Sequence, residues 1–544
     1  MPESQESSAK DLREQSHVFV REATGLVRQI SAFDVLAYGV TSGGALTLIP
    51  LGILSLPSIY EGVSIPLILA LSIIPIFAIA FSVTLLSSSM PRAGGDYVFG
   101  SRIVHPVWGI IASFMWMFTM ITGTGSLALL TIQGFLGPAI LVSFPQYTSS
   151  VVSLLYTPST VFVVVALLLV GLIVLAALST RLWFLAMRIF FVYGLIMIVV
   201  LIGYLVTVPT STVISNFNAQ LATGFSYSEV LSNATSAGWS PTVAATPLST
   251  AGAMIFVLFF LSIALPAFFA GEIKQVSKSM LIGEVGGSIL SLAVTATAIL
   301  AWVGAFGYSF LSAFGYEAYL NPTTAPTGAF NANALVLAIV GNPALAFLIG
   351  LAFVLVTAGL SAVSIIPSSR IFFAWGFDRL IPARFSSVSD HTHTPLFSFA
   401  VFGLLVLVAA AIDCFFASYI GPFLATTLLL MVASLPNGVS ALLLPYRRKS
   451  IFDASPALVK KKLGPVPIVS LAGLVQTICV ILLLVLVFLN PAAAGTSNGT
   501  LGSGALAVIV IALMISIVFY PISKAIRKRS DVDLSLIYKE VPPE

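Results

Sequence analysis

Gly39, Thr41, Ser42, Gly43, Gly44 and Ala45 stand together in the middle of an apolar run, residues 31–60, with Pro50 close behind. Adjacent glycines flanked by hydroxyls invite the backbone to leave the helix. In lipid each unsatisfied backbone group is costly, so such a break survives only if it is buried in protein or lines a cavity. There the freed N–H and C=O groups can coordinate a ligand, and a half-helix N-terminus adds a partial positive charge. The competing reading is close helix packing through small residues.

A second break falls at Phe260, Leu261, Ser262 and Ile263, just before Pro266. Proline removes a donor and clashes with the preceding turn, so main-chain carbonyls are released there. A simple proline kink would look the same. Other groups suited to chemistry are few. Carbonyls of Gly39 and Ser42 with the hydroxyls of Thr357 and Ser361, which share a helix face at i, i+4, would make an oxygen cage for sodium. Such hydroxyls also commonly bond their own helix. Proton coupling needs a titratable group. The apolar segments hold no histidine, which leaves Glu272, Glu284 and Asp34, all near segment ends where solvated or lysine-paired carboxylates are ordinary.

The elements that must position these residues are membrane helices. The chain has 544 residues, 58% hydrophobic and 8% charged, whereas soluble domains carry about 25% charged residues. With mean hydropathy +1.06, this is a polytopic membrane protein. Twelve segments reach the roughly 20 apolar residues of a span: 31–57, 63–90, 106–136, 157–179, 182–208, 250–273, 280–307, 343–371, 395–414, 420–445, 466–490 and 503–523. With the N-terminus inside, all 24 Lys and Arg fall on the cytoplasmic side, and adding or omitting one span would scatter them. The net charge of +4 reflects this topology and not nucleic-acid binding.

The expected organisation is a cytoplasmic tail (1–30), spans 1–5 (31–208), an extracellular loop (209–249), spans 6–10 (250–445), spans 11 and 12 (446–523) and a cytoplasmic tail (524–544). The breaks then begin two five-span halves. Interrupted helices at matching places in two halves point to a transporter binding site, and an odd span count per half makes the repeats inverted. The loops 209–249 and 308–342 form either an outer cap or flexible covers. Sequons at Asn233 and Asn498 lie outside, Cys414 and Cys479 suggest neither a disulfide nor a metal site, and no cleavable signal peptide is visible.

Several segments resemble the amino acid–polyamine–organocation (APC) superfamily. Residues 91–99, PRAGGDYVF, resemble its PxxGGxY loop; 270–274, AGEIK, its AEExK element; and Ser369-Arg370, 377–382 (FDRLIP) and Thr394-Pro395 its SR…RDGxLP…TP run. The resemblance covers about residues 30–490 and implies an all-α integral membrane fold: a LeuT-like 5+5 inverted repeat plus two helices, with helices 1 and 6 discontinuous. It implies a cell-membrane permease without cofactor, whose partners are an amino acid, membrane lipid and a coupling ion, H+ or Na+.

The resemblance places a substrate carboxylate on the amides of Gly43, Gly44 and Ala45, beside Thr41 and Ser42. The ammonium would meet the carbonyls of Phe260, Leu261 and Ser262. Trp116, Thr119, Met120, Phe260 and Ile263 would form side-chain walls, although such residues also serve plain packing. No Lys, Arg, Asp or Glu lies at the centre of spans 1, 3, 6 or 8, so a neutral, apolar amino acid fits best. An amine or polyamine carrier would want a carboxylate there; a substrate sensor on the same scaffold is a further alternative. An enzyme is not expected, since no in-span metal cluster or nucleophile–base pair occurs. The chain departs from the family's GSGIFxxP at Ala45 and Thr47, and FDR replaces RDG.

Overall fold

A computed structural model describes residues 26–46, 60, 62–220, 226–241, 244–320, 335, 337, 339–416, 420–489, 503–529 and 534–538. The tail 1–25, Thr47 and Pro50 with the second half of the first expected span, Asn498 and the side chain of Phe260 lie outside the described residues.

The principal helices are α1 (Ala32–Gly43), α2 (Ile65–Ser89), α3 (Pro106–Leu130), α4 (Pro158–Leu178), α5 (Thr180–Thr207), α6 (Pro247–Leu261), α7 (Gly287–Phe306), α8 (Pro343–Ala362), α9 (Leu396–Phe415), α10 (Ile420–Arg447), α11 (Ile468–Leu489) and α12 (Ser503–Lys528). Among the described residues ten helices are long and apolar enough to cross a membrane, against the twelve spans expected. The difference is α1 and α6, with 12 and 15 residues, where a spanning helix needs about 20. Each stops inside its apolar run. Both start on capping boxes, Ser31 with Asp34 and Thr246 with Ser249, which satisfy the first free amides.

Two helices are extended by π-helical turns. Residues Thr131–Leu136 carry α3 on to Ser143, and Leu281–Gly286 join Val276–Met280 to α7. A π turn inserts an extra residue into the helical ladder and is frequent at functional sites.

Of the most apolar stretch in Pro106–Ser143, and again in Pro343–Phe377, 72% is buried, against 22% in Ile509–Lys528. α3 and α8 are therefore central, with α3 packed against α8, α9, α10 and α12. On the periphery Leu167, Val206, Leu300 and Leu404 stand exposed, a surface suited to lipid and not to water. The two long loops carry helices Thr210–Gln220, Tyr227–Ser236 and Tyr308–Leu320. They pack on each other: Tyr227 stacks on Phe310 at 4.0 Å, and the Trp239 indole donates to Ser312 Oγ at 3.1 Å. In their described parts these loops are a packed cap.

Candidate functional site

α1 ends at Gly44, whose φ of 68° and ψ of 18° lie in the left-handed region that glycine enters without a Cβ penalty. The Gly44 N–H donates to the Thr41 carbonyl at 3.0 Å. This amide, expected to face a ligand, closes the end of α1 instead. Ala45 and Leu46 return to helical geometry.

α6 ends at Leu261. Ser262 is extended, Ile263 and Ala264 form no regular structure, and a 3-10 turn runs from Leu265 to Phe268. The Ser262 N–H still donates to Leu258 O at 2.9 Å, but among the described residues no main-chain N–H meets the carbonyls of Leu261, Ser262 or Ile263. The Ser262 hydroxyl is buried without a hydrogen-bond partner there. Such unmet polar groups in an apolar interior are where a polar ligand gains most.

α1 touches the irregular segment that follows α6. A Cβ on Gly39 would lie 3.0 Å from Ile263 Cγ2 and 3.1 Å from the Gly283 carbonyl. The first apolar helix, the end of α6 and the π turn before α7 therefore meet at one point. On the other side of α1, Gly359 of α8 approaches Thr41: its Cβ would lie 2.9 Å from Thr41 Cγ2. Gly359 sits between Thr357 and Ser361, so the proposed sodium ligands are on neighbouring helices. Ser42 Oγ donates to Gly39 O and Ser361 Oγ to Ala358 O, both at 2.8 Å. Their protons are used within their own helices, while their oxygen lone pairs remain.

The α3 residues reach inward. Trp116 lies edge-on to Phe268 at 5.4 Å, and its indole N–H donates to Asp96 Oδ2 at 2.8 Å. Thr119 Oγ1 donates to Met115 O at 3.0 Å, and Met120 Sδ accepts from Ser368 Oγ at 3.1 Å. Trp116 thus adjoins the turn after the α6 break, and Met120 adjoins the continuation of α8.

The three carboxylates weighed for proton coupling differ sharply. Glu272 receives two bonds from Arg370, Nε to Oε1 at 2.6 Å and Nη2 to Oε2 at 2.8 Å, with both side chains buried. Asp34 caps α1 and pairs with Arg188. Glu284, in the π turn, is wholly buried, and neither carboxyl oxygen has a hydrogen-bond partner among the described residues.

A set of residues that spacing did not single out fixes the turn after α6. Gln29 and Ile30 donate main-chain bonds to the Glu272 carbonyl, Lys274 N donates to Ile30 O, and Gly94 N donates to Phe268 O at 2.9 Å. Asp96 is held by Trp116 and by Asn437 Nδ2 at 2.7 Å. Burial pushes its carboxyl up to about 6 despite both bonds. Arg102 pairs with Asp378 at 2.6 Å, and the Tyr97 hydroxyl donates to the same carboxylate at 2.6 Å. Burial, and then the Asp378 charge, raise the Tyr97 phenol well above its ordinary range. Gly94, Asp96 and Tyr97, Glu272 and Lys274, and Asp378 lie in the segments 91–99, 270–274 and 377–382, which the superfamily resemblance had marked without indicating that they touch.

An all-helical, multi-pass membrane protein with irregular backbone buried at its centre is of the transporter class in its construction. A sequence profile described as "Amino acid permease" matches residues 33–523. The chain therefore belongs to the amino acid permease family of the APC superfamily. No curated protein matches it.

Proposed function

We propose that this protein is a secondary active transporter of neutral, apolar amino acids, working by alternating access in the cell membrane with both termini cytoplasmic. The residues 31–208 and 250–445 form two inverted halves, and the substrate lies between the α1 end and the α6 break. One observation carries the reading: among the described residues the main-chain carbonyls at Leu261, Ser262 and Ile263 lack main-chain donors, beside the glycine-ended α1, in the interior of an amino acid permease.

The carbonyls suit the substrate ammonium. Its carboxylate is assigned to the amides that begin at Ala45, the Gly44 amide being engaged by Thr41 and that of Gly43 lying in the last turn of α1. Both ends are met by backbone dipoles, which need no side-chain charge. Trp116, Thr119, Met120, Leu261 and Ile263 supply apolar walls. Coupling is to a proton or to sodium; the Thr41–Gly359 contact brings the sodium candidates of α1 and α8 onto adjacent helices.

One observation favours a second substrate class. Trp116 is bonded to a buried carboxylate, Asp96, and a carboxylate near the site is what an organic cation would want. Asp96 already accepts two hydrogen bonds, which favours the amino acid.

The test is ligand-induced thermal stabilisation of the purified protein. A neutral apolar amino acid raises the melting temperature of the wild type but not of Gly44→Leu, which still inserts. Stabilisation by polyamines alone would select the second class, and unaltered binding by Gly44→Leu would move the site elsewhere.

A further inference from the structure

Glu284 is the one carboxylate of the three near the breaks that the fold leaves alone. It is 0% exposed, and neither oxygen has a hydrogen-bond partner among the described residues. Its neighbours on every packed element have other engagements or carry no charge. On α1, Asp34 is paired with Arg188, and the Tyr38 hydroxyl donates to the Val363 carbonyl. α2, α6 and α7 contain no titratable residue, and Lys278 of the preceding turn is exposed. Asp96 acts on Glu284 electrostatically, as a like charge when ionised. An isolated carboxylate shut away from water and cations costs far more than the neutral acid.

The side chains above it on the same helix are polar. Glu284, Ser288, Ser291 and Thr295 follow one another at i, i+4, i+7 and i+11, a single face about 16 Å long. All four are buried. Ser288 Oγ donates to the Glu284 carbonyl at 2.7 Å, while Ser291 Oγ and Thr295 Oγ1 have no partner among the described residues. A polar row with two unmet hydroxyls at one end and an unmet carboxyl at the other is a place for water, which satisfies such groups in protein interiors. The π turn Leu281–Gly286 sets this row against the moving parts. A Cβ on Gly283 would lie 2.2 Å from Val35 of α1, and one on Gly287 2.9 Å from Ile263 in the α6 break.

We propose that Glu284 binds and releases the coupling proton, and that Ser288, Ser291 and Thr295 form with water its route toward the Phe306 end of α7. This rests on the transporter reading and adds to it the ion and its site. The carboxylate takes a proton when the row is open to water and holds it, neutral, when α1 and the α6 break close over the π turn. Any motion of α1 against Gly283, or of Ile263 against Gly287, changes access to the carboxyl and so links the proton to substrate movement.

The test uses the full-length protein in liposomes with an inwardly directed proton gradient, read beside counterflow exchange of preloaded amino acid, which needs no net proton movement. Glu284→Gln loses gradient-driven accumulation and keeps counterflow. Accumulation equal to the wild type overturns the proposal. If Glu284→Gln fails to insert, Ser291→Ala with Thr295→Val decides: slowed accumulation with intact counterflow supports the route, and wild-type accumulation overturns it. If the wild type moves no amino acid, the transporter reading fails by itself. The infrared band of a protonated carboxyl at neutral pH then tests Glu284 separately: present in wild type and missing in Glu284→Gln supports proton binding, and absent from the wild type refutes it.

Discussion

Removing one charge of the Glu272–Arg370 pair should be the most damaging conservative change in the turn after α6. The two side chains form a bidentate contact at 2.6 and 2.8 Å, and they are 2% and 0% exposed. Glu272→Gln leaves the guanidinium buried without its counter-charge, and Arg370→Met leaves the carboxylate so. Breaking a buried pair from one side costs about 3–5 kcal/mol, whereas replacing both partners by neutral groups is often close to neutral. That single loss is a large share of a stability of about 5–15 kcal/mol. The double variant Glu272→Gln/Arg370→Met should therefore recover most of what either single variant loses, giving a coupling energy of about 3 kcal/mol or more. Equilibrium unfolding in mixed micelles, run as a double-mutant cycle, reads this directly. Losses that simply add, with the double variant the worst of the three, would refute the pairing as the element that holds the turn.

Other predictions concern the interior. Gly283→Val drives a side chain into Val35; it should destabilise by about 1–3 kcal/mol and slow transport, while Gly123→Ala, facing open space, leaves both unchanged in parallel melting and uptake assays. Asp96 is raised from 3.8 to about 6 by burial, so the stability its neutral form contributes is full below 3.8 and is lost as pH rises through about 6. Asp96→Asn should flatten that slope in melting temperature against pH. Trp116→Phe removes one of the two bonds that favour the charged form and should shift the midpoint upward; a downward shift would contradict the assignment.

The ends of α1 and α6 were legible because glycine and proline act locally. Gly44 takes the left-handed conformation that closes α1. Pro266 has no N–H to return to Ser262, and the helix is already open at Ser262, four residues before it. Depth and partnership were not legible. Glu272, Glu284 and Asp34 lie near segment ends and suggested solvated carboxylates, yet all three are buried. What separates them is a partner 98 residues away for Glu272, one 154 residues away for Asp34 and none among the described residues for Glu284. Spacing carries no record of such contacts. The superfamily-like segments showed the same limit: PRAGGDYVF, AGEIK and the stretch around Asp378 were identified one by one, while their meeting is tertiary. The π turn at Leu281–Gly286 left no periodic trace, since one extra residue barely disturbs an apolar pattern.

The most direct test of the account is uptake by sealed liposomes containing the purified protein, screened across the twenty amino acids with imposed proton and sodium gradients. Saturable accumulation of neutral, apolar amino acids, lost in Gly44→Leu, is the predicted result. Uptake of none of them under either gradient, in vesicles where the protein is folded and oriented, would contradict it.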